Sequence, residues 1–317
     1  MNENSENNRS IRFGVAPINW NNDDIPELGS DYTIETILSE MNQAGYEGTE
    51  LGNKFPNKAS SLSELLNTFN LKLTSSWHST YFVLNEQENE LKNVEEKVSF
   101  LKEANAEVIN IAECSGSVHS DINKSLASKP ILGDSDWELL IGSLNKAGEI
   151  CNNYGIRLAY HHHMGTCVQT AEEIKRLLEC TDPNFVNLCV DTGHLYYAGI
   201  DPVVFIENNL GRIEHVHFKD VRKEVFQKYN NSSDSFLKTI LSGIFTVPGD
   251  GCIDFLSIIK ILQQNHYKGW IIVEAEQDPD KADPLHYAIS ARNYFCLLYT
   301  SDAADEGLGV DLGGRRI

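Results

Sequence analysis

Eight short runs rich in β-forming residues, separated by stretches with helical spacing, constrain this chain more than any other feature of its sequence. The runs are RFGVAPI (12–18), GTELGN (48–53), LKLTSSW (71–77), EVINIAE (107–113), RLAYHHH (157–163), VNLCVDTGH (186–194), IEHVHFKD (213–220) and WIIVEAE (270–276). Between them, TIETILSEMNQAGY (33–46) carries Ile34, Ile37, Leu38 and Met41 on one helical face. Segments 93–106, 137–155, 170–179 and 254–267 repeat that three-to-four spacing, and 282–295 reads as the eighth helix. Gly45, Gly155 and Gly269 follow or close helices, where a left-handed cap is often needed. Such alternation builds parallel βαβ units, and eight of them favour an α/β fold closed into a (β/α)8 barrel. An open doubly wound sheet is the structural alternative. It would carry a glycine-rich phosphate loop after the first strand, where this chain has PINWNNDD.

The pattern implies a single barrel domain over residues 11–295. A polar lead-in at 1–10 reads as disordered, and CLLYTSDAADEGLGVDLGGRRI, at 296–317, reads as a non-native or disordered tail because it loses apolar periodicity. The lead-in lacks the basic and apolar regions of a secretory signal, and no run of about eighteen apolar residues could span a bilayer, so a cytoplasmic location is expected. Seven cysteines without a CxxC suggest reduced thiols and neither a disulfide framework nor a structural zinc site. A formal net charge of -20, with no Lys/Arg block, argues against nucleic acid or an anionic membrane as partner.

In a closed parallel barrel the site lies at the C-terminal strand ends. Read there, the sequence offers Glu50, Trp77 and His78, Glu113, His161 and His163, Asp191 and His194, His215, His217 and Lys219, and finally Glu274 and Glu276. Imidazoles and carboxylates converging on one rim need a compensating charge, and a divalent cation supplies it. Mixed carboxylate and imidazole donors without thiolate suit manganese, cobalt, iron or magnesium better than zinc. Asp191, His217 and Glu274 are the expected metal ligands, with a fourth from His161 or His163. Alternation makes His215 and His217 co-facial, and His217 is preferred because it lies nearer the rim. Bland readings stand beside these: Asp191 as a helix cap, His194 as a hydrogen bonder behind the ligands, Glu113 as a strand terminus. Trp77 reads as a stacking wall for a sugar-like ring or as a core aromatic.

At these residues the chain resembles the xylose-isomerase-like metal-dependent TIM barrels and, within them, the inosose dehydratases. The resemblance covers about residues 11–295. It rests on GVAPINWNNDDIPELG (14–29), GTELGNKFP (48–56), YHHHMGT (160–166), DTGH (191–194), HVHFKDVR (215–222), VPGDGCIDF (247–255) and GWIIVEAEQDP (269–279). It implies a manganese- or cobalt-dependent hydro-lyase that takes water from a small polyol ketone, 2-keto-myo-inositol, with glutathione as a conceivable helper and self-association left open. Wider relatives carry a glutamate at the end of strand five, where this chain has histidines. The chemistry needs a base for the α-proton, leading to an enediolate, and an acid for the leaving β-hydroxyl. Candidates are His194 and Lys219, ranked first, with Glu276 and His78; Asn19, Trp20 and Arg222 could hold ring hydroxyls beside Trp77. VPGDGCIDF suits either a rim loop closing over substrate or a plain turn before a helix starting at Asp254. A ketose isomerase or epimerase is the nearest rival, followed by a metal-dependent phosphodiesterase and a non-enzymatic sugar-binding barrel.

Overall fold

The computed structural model describes residues 11–229 and 233–307. Its strands are β1 (Arg12–Val15), β2 (Gly48–Leu51), β3 (Lys72–Thr80), β4 (Val108–Glu113), β5 (Arg157–His161), β6 (Val186–Asp191), β7 (Ile213–Phe218), β8 (Asp220–Val221), β9 (Phe245–Thr246) and β10 (Trp270–Val273). Seven strands pair in sequence order from β1 to β7, and β10 bridges β7 back to β1, so the expected eight-stranded parallel barrel closes. The helices are α1 (Ile34–Gln43), α2 (Ala59–Thr68), α3 (Gln87–Glu103), α4 (Asp134–Asn153), α5 (Ala171–Cys180), α6 (Thr192–Tyr197), α7 (Pro202–Asn209), α8 (Lys223–Tyr229), α9 (Phe236–Leu241), α10 (Phe255–Gln264) and α11 (Pro284–Gly307).

Most of the core lies between the barrel wall and the helices. Ile37, Leu38 and Met41 of α1 and Phe255, Ile258, Ile259 and Leu262 of α10 are buried there, as their spacing requires. Thr170 and Glu173 form a reciprocal capping box that starts α5. At the N-terminal end of the barrel the Arg12 guanidinium lies 4.2 Å above the buried Trp270 ring and grips Glu107 through two bonds of 2.6 and 2.9 Å. Arg157 extends that cluster to Glu214 at 2.7 Å. With that end plugged by an indole and paired charges, the polar interior opens toward the C-terminal rim.

Three segments differ from the sequence reading. The sequence reading assigns no helix at α2, because six of the ten side chains of ASSLSELLNT are polar, although Ala59, Leu62 and Leu66 do share a buried face. Beyond β7 the chain makes a small antiparallel pair, β8 with β9, before returning to the barrel. The VPGDGCIDF segment is the plain turn: the Asp220 carboxylate accepts N–H bonds from Gly249, Gly251 and Ile253 at 2.9–3.0 Å, and Asp254 caps α10 through the Ser257 N–H. The last helix, α11, runs through to Gly307, past the domain end expected at 295. The lead-in at 1–10 and residues 308–317 of the tail lie outside the described residues. Among the described residues no helix is long and apolar enough to cross a membrane.

Candidate active site

The inward-facing side chains of β2, β3, β4 and β7 meet on the barrel axis around one carboxylate. Glu50 Oε1 accepts from Ser75 Oγ at 2.5 Å and from Asn110 Nδ2 at 2.9 Å, and it lies 3.1 Å from His215 Nε2 and 2.9 Å from His217 Nε2. Burial opposes charge on Glu50, but His217 and His215 hold its carboxyl well below the usual range. A carboxylate can only accept, so His217 donates through Nε2 and turns Nδ1 toward the rim. That Nδ1 sits 2.9 Å from Glu274 Oε2 and 3.8 Å from Asp191 Oδ2. Burial also works against a proton on His217; Cys189, Glu50 and Glu274 outweigh it and push the imidazole well above its ordinary value.

Asp191 uses one carboxylate oxygen as a helix cap. Its Oδ1 accepts the His194 N–H at 2.8 Å and so caps α6, while Oδ2, fully buried, makes no hydrogen bond. One ligand atom from each of Asp191, His217 and Glu274 lies within 4.8 Å of the others. Metal–ligand bonds of about 2.0–2.3 Å put opposite ligands about 4.0–4.6 Å apart, so the three donors fit around one ion. His161 brings an imidazole as a fourth donor, with Nε2 3.8 Å from Asp191 Oδ2 and its ring centroid 5.1 Å from that of His217. His163 places Nδ1 2.8 Å from the Met164 carbonyl, which fixes the proton there and leaves Nε2 as a lone pair near His194 and Glu276.

Lys219 is the cation already built into this cluster. Its Nζ is fully buried, 2.5 Å from Glu276 Oε1, 2.6 Å from Glu274 Oε1 and 3.3 Å from Asp191 Oδ2. Burial disfavours the ammonium, but the three carboxylates hold its affinity for a proton well above the usual value. Gly193 makes this possible: a Cβ there would stand 2.7 Å from Lys219 Cγ. Glu274 is pulled well below the ordinary carboxylate range, since Lys219 and His217 overcome its burial. Glu276, where burial prevails over Lys219, is pushed up to about 7. His194 Nε2 lies 3.2 Å from Lys219 Nζ and 3.7 Å from Glu276 Oε1.

A cavity of about 300 Å³ opens above these groups. Glu50, His161, His163, His217, Glu274 and Glu276 reach its surface, whereas Asp191, His194 and Lys219 stand behind them. Of the acid–base candidates Glu276 faces the cavity, whereas His194 lies behind His163 and Glu276, and Lys219 behind Glu274 and Glu276. Trp77 lines the cavity, with its ring edge-on to His161 and His163 at 5.2 and 5.6 Å and its Nε1 donating to Ser79 Oγ.

Four expected site residues sit elsewhere. His78 follows Trp77 on the strand and so points to the opposite face, toward Lys97 and Glu90 of α3. Trp20 is fully buried core, with Nε1 donating to Glu40 Oε2 at 2.6 Å. Arg222 spends its guanidinium on the Gly243 and Phe245 carbonyls, Thr246 and Asp250, where it braces β8, β9 and the 247–253 turn. Asn19 is a strut: its Oδ1 accepts the Ala275 N–H at 2.7 Å, which fixes the segment carrying Glu274 and Glu276. Glu50 was visible as a strand-two terminus but had no assigned role. His119, a loop residue lining the cavity, carried no signal in the sequence.

A model of the xylose isomerase-like TIM barrel family matches residues 38–294. The chain is 44% identical to an inosose dehydratase of Halalkalibacterium halodurans over 286 residues, 90% of this chain and 94% of that protein. It is 43% identical to an inosose dehydratase of Clostridium beijerinckii over 289 residues, 91% of this chain and 97% of that protein. Among solved structures, the IolI protein with a bound zinc atom superposes with a TM-score of 0.67 at 15% identity, covering 92% of this chain and 99% of that one, a likeness of fold. Similarity of this extent, over nine-tenths of the chain, settles kinship: the chain belongs to the inosose dehydratase family of the xylose isomerase-like TIM barrels.

Proposed function

We propose that the protein is a metal-dependent hydro-lyase that removes water from 2-keto-myo-inositol to give 3D-trihydroxycyclohexane-1,2-dione, as a step of myo-inositol breakdown inside the cell. The observation that carries this reading is the convergence of Asp191, His217 and Glu274 beneath the same cavity that Glu276 enters, in a chain 44% identical to an inosose dehydratase. Asp191, His217 and Glu274, with His161 beside them, would hold the ion, and manganese or cobalt suits these donors. When bound, such a cation supplies Lewis acidity toward a carbonyl oxygen.

The protein's own groups account for the proton transfers. Glu276 Oε2 is buried without a hydrogen-bond partner, and a carboxyl poised at about 7 is matched to exchanging protons near neutrality. In this reading it takes the α-proton of the ketone and then, as a carboxylic acid, returns that proton to the β-hydroxyl, which the enediolate expels as water. Lys219, locked against Glu276 and Glu274, holds both carboxylates in place and balances their charge. Glu50 keeps the His217 ring oriented, as a carboxylate behind a ligating histidine commonly does. A cavity at the low end of the range for small-molecule sites fits one compact ring.

The test is turnover of 2-keto-myo-inositol by chelated protein and again after manganese or cobalt is restored, followed by ultraviolet absorbance and product mass. Metal-dependent loss of one water is the expected result. A product isomeric with the substrate would move the protein to the isomerases, and no conversion by folded, metal-loaded protein would refute the substrate.

A further inference from the structure

The loop between β4 and α4 turns back over the barrel mouth at Val118 and His119. The Val118 N–H donates to the Gly165 carbonyl at 2.9 Å, so this loop is tied to the YHHHMGT turn that carries the site histidines. Gly165 has φ +82°, and a Cβ there would stand 2.9 Å from the His119 backbone nitrogen. A side chain at 165 is excluded by the backbone conformation and by the approach of His119 itself. The turn is thus shaped to receive the incoming loop.

The His119 ring stands edge-on to His163, with centroids 5.1 Å apart at 69°, and lines the same cavity as Glu274 and Glu276. It is half-buried, nearer the mouth than the carboxylates and imidazoles below it. Its Nδ1 is nevertheless buried and has no hydrogen-bond partner. That nitrogen is sealed from the cavity, so Nε2 is the ring atom with which His119 can meet a bound group. A hydroxyl both donates and accepts, so it can pair with Nε2 whether that nitrogen carries the proton or the lone pair.

We propose that His119 is a substrate-binding residue that hydrogen-bonds a hydroxyl of the ring, on the side away from the carbonyl. The inference rests on the dehydratase reading and adds to it a group, delivered from a loop, that selects a hydroxylated ring. A site built to bond a hydroxyl discriminates strongly against ligands that lack it, because its own polar atom is then left unpaired.

The experiment measures binding of 2-keto-myo-inositol by titration calorimetry, and its turnover, for wild type, His119→Phe and His119→Asn. Phenylalanine keeps the ring packing on His163 and removes both nitrogens; asparagine restores a polar side chain at the same place. His119→Phe is expected to weaken binding and raise KM by about tenfold or more, with the manganese-induced thermal shift unchanged and with part of the loss recovered in His119→Asn. A dissociation constant within twofold of wild type in both variants would overturn the proposal. Loss of the manganese-induced shift would also overturn it, by moving His119 into the metal site. Wild-type protein that binds the ketone without converting it would refute the dehydratase reading while His119 is still judged on binding; wild type that does not bind it would refute both.

Discussion

Replacing Lys219 by methionine keeps the length of the side chain and removes the one ammonium that touches Asp191, Glu274 and Glu276. All three carboxylates are buried, so in chelated protein they would face one another without compensation. Removing one partner of a buried ion pair costs about 3–5 kcal/mol. Unfolding entropy of about 2.1 cal/mol/K per residue, over a chain of this length, converts that to a fall in Tm of about 5–8 °C. The penalty has a definite pH dependence. Without the ammonium these carboxyls bind protons more tightly in the folded than in the unfolded state, so the folded protein gains relative stability as pH falls. The gap between Lys219→Met and wild type should therefore narrow between pH 8 and pH 5, by up to about 1.4 kcal/mol per pH unit for each carboxyl that titrates. Calorimetric melts of both proteins in chelator across that range make the test. A variant that melts within 1 °C of wild type at pH 8, or a gap that widens on acidification, would refute the assignment of Lys219 as the compensating cation.

Two other consequences are open to measurement. Manganese at about a hundred times its dissociation constant should stabilise the wild type by about 2.7 kcal/mol, and Asp191→Asn and Glu274→Gln should abolish that gain in thermal shift; an undiminished gain would place the ion elsewhere. His78 is pushed down to about 4, first by burial and then by Lys97, from an ordinary 6.5. Its stabilising contribution is complete above 6.5 and is lost as pH falls toward 4, so His78→Phe should remove about 2 kcal/mol of the wild type's acid destabilisation in urea titrations at pH 7.5 and pH 4.5. An identical acid slope in the two proteins would contradict the depressed value.

Most of the rim was legible in the sequence because strand alternation is local physics. Once β7 is a strand, His215 and His217 must share a face; once β3 is a strand, Trp77 and His78 cannot, and the cavity took Trp77. The number of strand-helix units determined the barrel, and the barrel put the strand termini at one end. The sequence also supplied Asp191, His217 and Glu274 as one group, since they end three strands that are neighbours in any closed barrel of this order.

What the chain order could not decide were contacts across the barrel and contacts made by loops. Glu50 reaches His217 over 167 positions, and that meeting depends on the stagger with which the strands close, including a register shift between Thr49 and Leu51. Arg222 and Trp20 lie beside conspicuous motifs, yet their partners, the 243–250 segment and Glu40, come from elements whose placement is a tertiary outcome. His119 lies in a segment without periodicity, so only the folded loop could bring it to the cavity. The sequence by itself determined the barrel and the residue types on its rim, because period and strand count are local properties. The tertiary structure alone decided which of those groups touch, which face the cavity and which stand behind it, because distance and burial are set by closure of the whole sheet.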